Sequence, residues 1–149
     1  MIALGCDHAG FPLMADIVKL LEDMKLEYHD FGTFGLERVD YPLFAQRAAE
    51  AVASGACDRG ILLCGTGVGI GITANKVPGI RCVTCSDCLS AEMSRRHNDT
   101  NMLAMGARVI GGDLAVKIAR EWLTAPFEGG RHAKRVEMIM RVGRGERLE

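Results

Sequence analysis

The chain has 149 residues, 18 basic and 19 acidic side chains for a formal charge of −1, and a composition that is 48% apolar and 25% charged. A chain of this size buries roughly 68–70% of its unfolded surface, so one core suffices without disulfide or metal staples, and a single domain over 1–149 is expected, with 143–149 as a frayed tail. The balanced charge supplies no field for nucleic acid or an anionic membrane, and no apolar run approaches the ~20 residues that cross a bilayer.

Met1 leads directly into Ile2-Ala-Leu-Gly-Cys6 with no basic leader, so a cytoplasmic protein with neither nucleic acid nor membrane as partner is expected. Its six cysteines then read as reduced thiols rather than a disulfide framework. Glycine is the outlier, with 18 residues, and four of them fall between Gly65 and Gly71.

Ile2 to Cys6 reads as a strand, and Pro12 opens a helix with Leu13, Ile17, Leu20, Leu21 and Met24 at helical spacing. Glu27 to Phe31 is a weaker strand. A polar loop from Gly32 to Asp40 leads to a helix that starts at Pro42 and turns Phe44, Ala45, Ala48 and Val52 inward. Gly60 to Cys64 has the unbroken apolar character of a strand buried on both faces, and the glycine-rich stretch Gly65 to Gly71 follows, then a short helix ending near Lys76 and Pro78. Ile80 to Cys85 is predicted as the fourth strand, with Ser86 or Asp87 capping a helix through Arg96. Met102 to Met105 is the fifth strand. Asp113 is expected to cap a helix with Leu114, Ile118 and Trp122 on one stripe, and Gly130 to about Val142 forms a last helix with Val136, Ile139 and Met140 as its apolar face.

Alternating short strands and helices imply an α/β domain: a five-stranded parallel sheet with helices on both faces, right-handed crossovers and a C-terminal helix. Ligands bind such sheets beyond the carboxyl ends of the strands. Asp7 and His8, Cys64 to Gly71, Asp87 and Arg108 each follow a predicted strand, and they are expected to converge.

The stretch Cys64-Gly-Thr-Gly-Val-Gly-Ile-Gly71 is not a Walker loop, which needs Gly, four residues and Gly-Lys-Ser/Thr, because Gly71 is followed by Ile72. It fails the dinucleotide pattern from Gly65 and from Gly67, and Ile70 stands where a cysteine phosphatase needs arginine. What remains is a turn whose glycines let backbone N–H groups approach an oxyanion at the positive end of a helix. Cys64 beside those groups is placed as a thiolate would be; the plainer alternative is a small buried cysteine closing a strand.

His8 and His97 are each candidates for chemistry, against the plainer role of a loop or helix-end hydrogen-bonder. Arg131 and Arg135, spaced i,i+4, suit a phosphate monoester, or else form a solvated basic face. Arg108 follows a buried strand and must sit at its mouth or be paired. Cys82, Cys85 and Cys88 lack a second ligand pair and the alternation of a strand separates the first two, so they read as incidental thiols rather than a metal site. His29 reads as structural.

Six separated motifs, Gly5-Cys-Asp-His-Ala-Gly10, Asp40-Tyr-Pro42, Cys64 to Gly69, Ala74-Asn-Lys76, Arg96-His-Asn-Asp-Thr-Asn101 and Glu128-Gly-Gly-Arg-His132, resemble in order and spacing the type B ribose-5-phosphate isomerases. The resemblance spans Met1 to about Val142. It implies a three-layer, Rossmann-like α/β/α fold, no cofactor or metal, and a homodimer or tetramer with active sites at the subunit interface.

It further implies aldose–ketose isomerisation of a phosphorylated sugar through a cis-enediolate, with Cys64 as general base. Ile70 stands where one branch of the family has a carboxylate base. Thr66 and His97 match the ring-opening pair. Asp7, Tyr41 and Asn98 match residues that hold sugar hydroxyls, and His8, Arg108, Arg131 and Arg135 match those that bind phosphate. The backbone of Gly65, Gly67, Val68, Gly69, Ile70 and Gly71 would stabilise the enediolate oxygens. Ribose 5-phosphate is the expected substrate, with allose or galactose 6-phosphate as the alternative. Two other classes compete more weakly: a nucleotide-binding module, which leaves Cys64 and His97 idle, and a cysteine-nucleophile transferase or hydrolase.

Overall fold

The computed structural model describes residues 1–149. Its strands are β1 (Ile2–Cys6), β2 (Tyr28–Asp30), β3 (Arg59–Cys64), β4 (Cys82–Thr84) and β5 (Met102–Gly106). Its helices are α1 (Phe11–Asp23), α2 (Tyr41–Ala53), α3 (Val68–Asn75), α4 (Cys88–Asn98), α5 (Gly112–Thr124) and α6 (Arg131–Gly143). All strand pairs are parallel, in the order β2-β1-β3-β5-β4. This is the three-layer, Rossmann-like α/β/α architecture expected.

Strand residues alternate between two cores because successive side chains leave a strand on opposite faces. Leu4, Cys6, Ile61, Leu63, Leu103 and Met105 meet α1, α4 and α5, whereas Ala3, Leu62, Cys64, Met102 and Ala104 meet α2 and α3. Right-handed crossovers explain the split: β1 to β2 and β4 to β5 move one way along the sheet, and β2 to β3 and β3 to β4 move the other.

The first core closes on Trp122, fully buried, whose indole N–H donates to Thr100 Oγ1 at 2.9 Å. Thr100 also shares a hydrogen bond with Ser94 Oγ at 2.9 Å, and Ser94 donates to Ala91 O at 2.8 Å, so each buried hydroxyl is partnered. Arg59 lies 5.4 Å from the Trp122 ring and donates to Leu123 O at 3.0 Å, answering a carbonyl at the end of α5.

Several predicted boundaries shift for local reasons. The fourth strand is only Cys82–Thr84, because β4 is an edge strand and the backbone of Arg81 is engaged by Asn101: its N–H donates to Asn101 Oδ1 at 2.7 Å and its carbonyl accepts from Asn101 N at 3.0 Å. Asp87 caps α4 as expected, its Oδ1 accepting from Ser90 N at 2.6 Å. Asp113 is in the first turn of α5 and not its cap; Gly111 occupies that position, and Gly112 presses against the Asp16 carboxylate of α1. Leu114 turns outward, and the buried stripe is Ala115, Ile118, Ala119, Trp122 and Leu123.

The last helix is the largest departure. Its apolar face of Val136, Ile139 and Met140 is not buried in the chain, Ile139 being 47% exposed, and only His132 is enclosed. The face borders an open groove lined by Ile80, Val83 and Val142. Beyond it the chain turns back, with Gly145 N donating to Val142 O and Glu146 N to Arg141 O.

Candidate active site

Asp7 follows β1 and is buried; its Oδ1 accepts from the N–H groups of Ala9 and Gly10, both at 2.9 Å, which fixes the turn into α1. Gly10 must be glycine here, since a Cβ would stand 2.2 Å from Leu63 O and 2.7 Å from Cys64 N. The Asp7 turn is thereby seated directly on the end of β3. His8 is oriented by the polar loop, its Nδ1 accepting from Val39 N at 3.2 Å, so a neutral ring carries its proton on Nε2.

The glycine-rich stretch is shorter as a loop than its sequence suggests. Only Gly65, Thr66 and Gly67 form the turn, and α3 begins at Val68. Gly67 has φ +79°, a left-handed conformation, and sits so close to Met105 that a Cβ would lie 2.9 Å from its carbonyl carbon. Gly106 of β5 packs as tightly on the Thr66 backbone.

The Gly67 N–H donates to Cys64 Sγ at 3.1 Å, Val68 N donates to Thr66 Oγ1 at 3.3 Å, and Gly71 N returns to Gly67 O at 3.1 Å. The amides of Gly69 and Ile70 in the first turn of α3 find no protein acceptor. The Ile70 side chain is fully buried, which leaves only its backbone at the turn.

Two further candidates border this turn. Tyr41 lies over α3, where a Cβ on Gly69 would stand 2.6 Å from its ring. Arg108 crosses Gly65 with Nη1 3.4 Å from that glycine's Cβ position, and its own N–H donates to Gly65 O at 2.9 Å. Asp7, His8, Cys64, Thr66 and Arg108 thus gather at the carboxyl end of β1, β3 and β5, as strand order predicts, and Tyr41 joins them from the start of α2.

His97 and Asn98 do not join them. They end α4, which starts beyond the carboxyl end of β4 and runs back to the opposite edge of the sheet. There the Arg81 guanidinium, at the start of β4, donates through Nε to Asn98 O at 3.1 Å. At the other end of the same strand Thr84 Oγ1 donates to Gly67 O at 3.1 Å. The register Gly60↔Met102 to Cys64↔Gly106 separates the two ends by roughly 13 Å of strand at about 3.3 Å per residue. Arg131 and Arg135 open α6, which packs on α4, so they belong with His97. Within one chain, helix direction therefore divides the candidates into two groups, and the residues expected to converge after the strands are in the first.

The second group holds two residues, Glu128 and His132, that the sequence reading leaves without a role. The His97 and His132 rings stack in parallel, centroids 4.2 Å apart and 7° from coplanar orientation. Glu128 Oε1 lies 3.8 Å from Nε2 of each. Burial, His97 and Arg131 together push the His132 pKa below the ordinary histidine value. The i,i+4 spacing of Glu128 and His132 was the available signal. These three side chains place their donor atoms within 4.8 Å of one another, yet parallel rings cannot both direct a lone pair at one ion without rotating.

The remaining cysteines are all free. Burial pushes the thiols of Cys6 and Cys82 up to about 12 and that of Cys85 to about 11, which suits the incidental role predicted for Cys82 and Cys85. No helix is long and apolar enough to cross a membrane.

Fold and geometry define a doubly wound α/β protein with a cysteine set into an amide-rich turn at the carboxyl edge of its sheet. Residues 2–139 match the family model described as Ribose/Galactose Isomerase. The chain is 55% identical over 141 residues to ribose-5-phosphate isomerase B of Escherichia coli K12, covering 95% of each, and 45% identical to D-erythrulose-4-phosphate isomerase of Pectobacterium atrosepticum, covering 93% of this chain and 91% of that one. Among solved structures, ribose-5-phosphate isomerase B of Clostridium thermocellum superposes with a TM-score of 0.95 at 53% identity over 97% of both chains. The Mycoplasma genitalium enzyme, with bound ribulose 5-phosphate, gives 0.91 at 34% identity over 97% of both. The chain belongs to the ribose/galactose isomerase family, which makes it a sugar-phosphate aldose–ketose isomerase.

Proposed function

We propose that this protein interconverts ribose 5-phosphate and ribulose 5-phosphate through a cis-enediolate, with Cys64 as general base and no metal. The observation that carries the reading is the Cys64 sulfur accepting from the Gly67 N–H in the turn that leads into α3, whose Gly69 and Ile70 amides the protein leaves unpaired. In the forward direction the thiolate takes the proton from C2 of the open-chain aldose, and the oxygen at C1 takes the proton of the C2 hydroxyl, which leaves the enediolate's negative charge on the C2 oxygen. The same thiol then returns a proton to C1 and the C2 oxygen becomes the ketone. The amides of Gly69 and Ile70 would hold the negative oxygen between the two steps. A ribose substrate is favoured over a six-carbon sugar phosphate by the two relatives that are named for it and the neighbour that holds ribulose 5-phosphate.

The working unit in this reading is a homodimer whose sites are shared. Cys64, Thr66, Asp7 and Tyr41 of one copy would act on the sugar with His97 and Asn98 of a second, His97 and Thr66 moving the proton between ring oxygen and anomeric hydroxyl. His8 and Arg108 would meet the phosphate from one side and the second copy's Arg131 and Arg135 from the other. The separation of the two groups within one chain supports this, as does the uncovered apolar face of α6, which offers a surface for association. Either half alone lacks part of the machinery.

The test is conversion of ribose 5-phosphate in deuterium oxide with EDTA present. Turnover that places deuterium at C1 of the ketose, and falls by at least about 10²-fold in Cys64→Ala, is expected. A folded protein inactive on this substrate, or an active Cys64→Ala variant, contradicts the assignment.

A further inference from the structure

We propose that His132 and Glu128 are positioning residues for His97: one fixes the plane of its ring and the other holds its Nε2 edge. The inference rests on the reading of His97 as a ring-opening residue. Three observations carry it. The two imidazoles are stacked at 4.2 Å and 7°, which leaves His97 no freedom to tip towards that side. His132 is itself enclosed, its side chain only 10% exposed, whereas His97 is 39% exposed and has His132 as the wall on one face. Glu128 reaches both Nε2 atoms at 3.8 Å, and its backbone N–H donates to Arg96 O at 3.0 Å, so the carboxylate is anchored to α4, the helix that carries His97.

The charged groups around the pair are Glu128, Arg96, Arg131 and Arg135. Arg96 Nη1 lies 3.8 Å from Glu128 Oε2, the carboxylate oxygen other than the one nearest the histidines. Gly129 and Gly130 both have positive φ, 65° and 57°, and this two-glycine turn brings His132 back over the carboxylate four residues earlier. The arrangement gives His97 a floor and an edge while its exposed face stays open to a sugar.

Ring opening and enolisation can be separated by substrate. Ribose 5-phosphate is a furanose and must open before C2 is accessible. Ribulose 5-phosphate carries its phosphate on the only oxygen that would close a five-membered ring, so it is acyclic, and its C1 proton exchanges through the enediolate without His97. A residue that positions His97 therefore affects the first reaction and spares the second.

The experiment measures, for wild type, His97→Asn, His132→Ala, His132→Phe and Glu128→Gln, the turnover of ribose 5-phosphate and the wash-in of deuterium at C1 of ribulose 5-phosphate. For His132→Ala, turnover is expected to fall about 10- to 100-fold, the cost of a misplaced catalytic group, with C1 exchange within about threefold of wild type. Glu128→Gln, on an exposed side chain with no folding risk, is expected to show the same split more weakly. His132→Phe, which keeps a stacking ring, is expected to recover most of the turnover. The proposal is overturned if His97→Asn shows the split while His132→Ala and Glu128→Gln show none, or if turnover and exchange fall together in the His132 and Glu128 variants. A His97→Asn enzyme with unimpaired ribose 5-phosphate turnover instead removes the reading of His97 itself, and the proposal with it.

Discussion

The backbone N–H of Gly67 points at the sulfur of Cys64, 3.1 Å away, from a residue whose φ of +79° only glycine adopts without strain. The Cys64 sulfur and the turn proposed to hold the enediolate are thus one piece, clamped from behind by the Met105 backbone. Gly67→Ala forces a Cβ into that backbone and a side chain into a left-handed conformation, at a cost of about 1–3 kcal/mol. A fall in kcat of about 10²-fold or more is expected, with a lowered Tm. Steady-state kinetics beside thermal denaturation check it, and a Gly67→Ala variant with normal kcat would show that the turn need not be rigid.

Stability depends on the buried hydroxyl chain under Trp122. Trp122→Phe removes the donor to Thr100 and leaves space where the larger indole was. A loss of about 2–4 kcal/mol is expected, from the cavity together with the weakened polar chain. Denaturant unfolding of wild type, Trp122→Phe, Thr100→Val and the double variant measures it. Non-additivity between the two sites is predicted, since they share one hydrogen bond.

Acid sensitivity follows from His132. Its folded pKa lies below the unfolded value of 6.5, chiefly through burial and the neighbouring His97. As the pH falls below 6.5 the unfolded chain takes up this proton before the folded one does, so the contribution is complete above that pH and is lost on acidification. Wild type should lose Tm between about pH 7 and 5 more steeply than His132→Phe, which has no proton to gain. Parallel curves would contradict the assignment.

Much of the architecture was readable from residue order alone. Strands buried on both faces, such as Gly60 to Cys64, leave unbroken apolar runs, and Leu13, Ile17, Leu20 and Leu21 mark one face of a helix unambiguously. Boundaries failed where tertiary contacts intervened, at Arg81, claimed by Asn101, and at Gly112, pressed against Asp16. The cysteine and its glycine turn stood out because they are contiguous in sequence. The distance of His97 from Cys64 did not, although it was implicit in the topology: a helix that follows a parallel strand must end at the far side of the sheet. The His97–His132 stack joins residues on two helices that no local pattern connects.

The division of the candidate residues between opposite ends of one chain makes the shared site the central claim, and subunit mixing tests it most directly. Cys64→Ala and His97→Asn proteins, each nearly inactive on ribose 5-phosphate, are unfolded, mixed in equal amounts and refolded together. In a shared-site dimer half of the assemblies pair the two variants, and each of those has one site with both lesions and one with neither, so activity returns to about a quarter of wild type. Recovery near that level is the predicted result. Mixed dimers that form, as tagged copurification shows, and remain inactive would place Cys64 and His97 in the same site of the same chain and contradict the account.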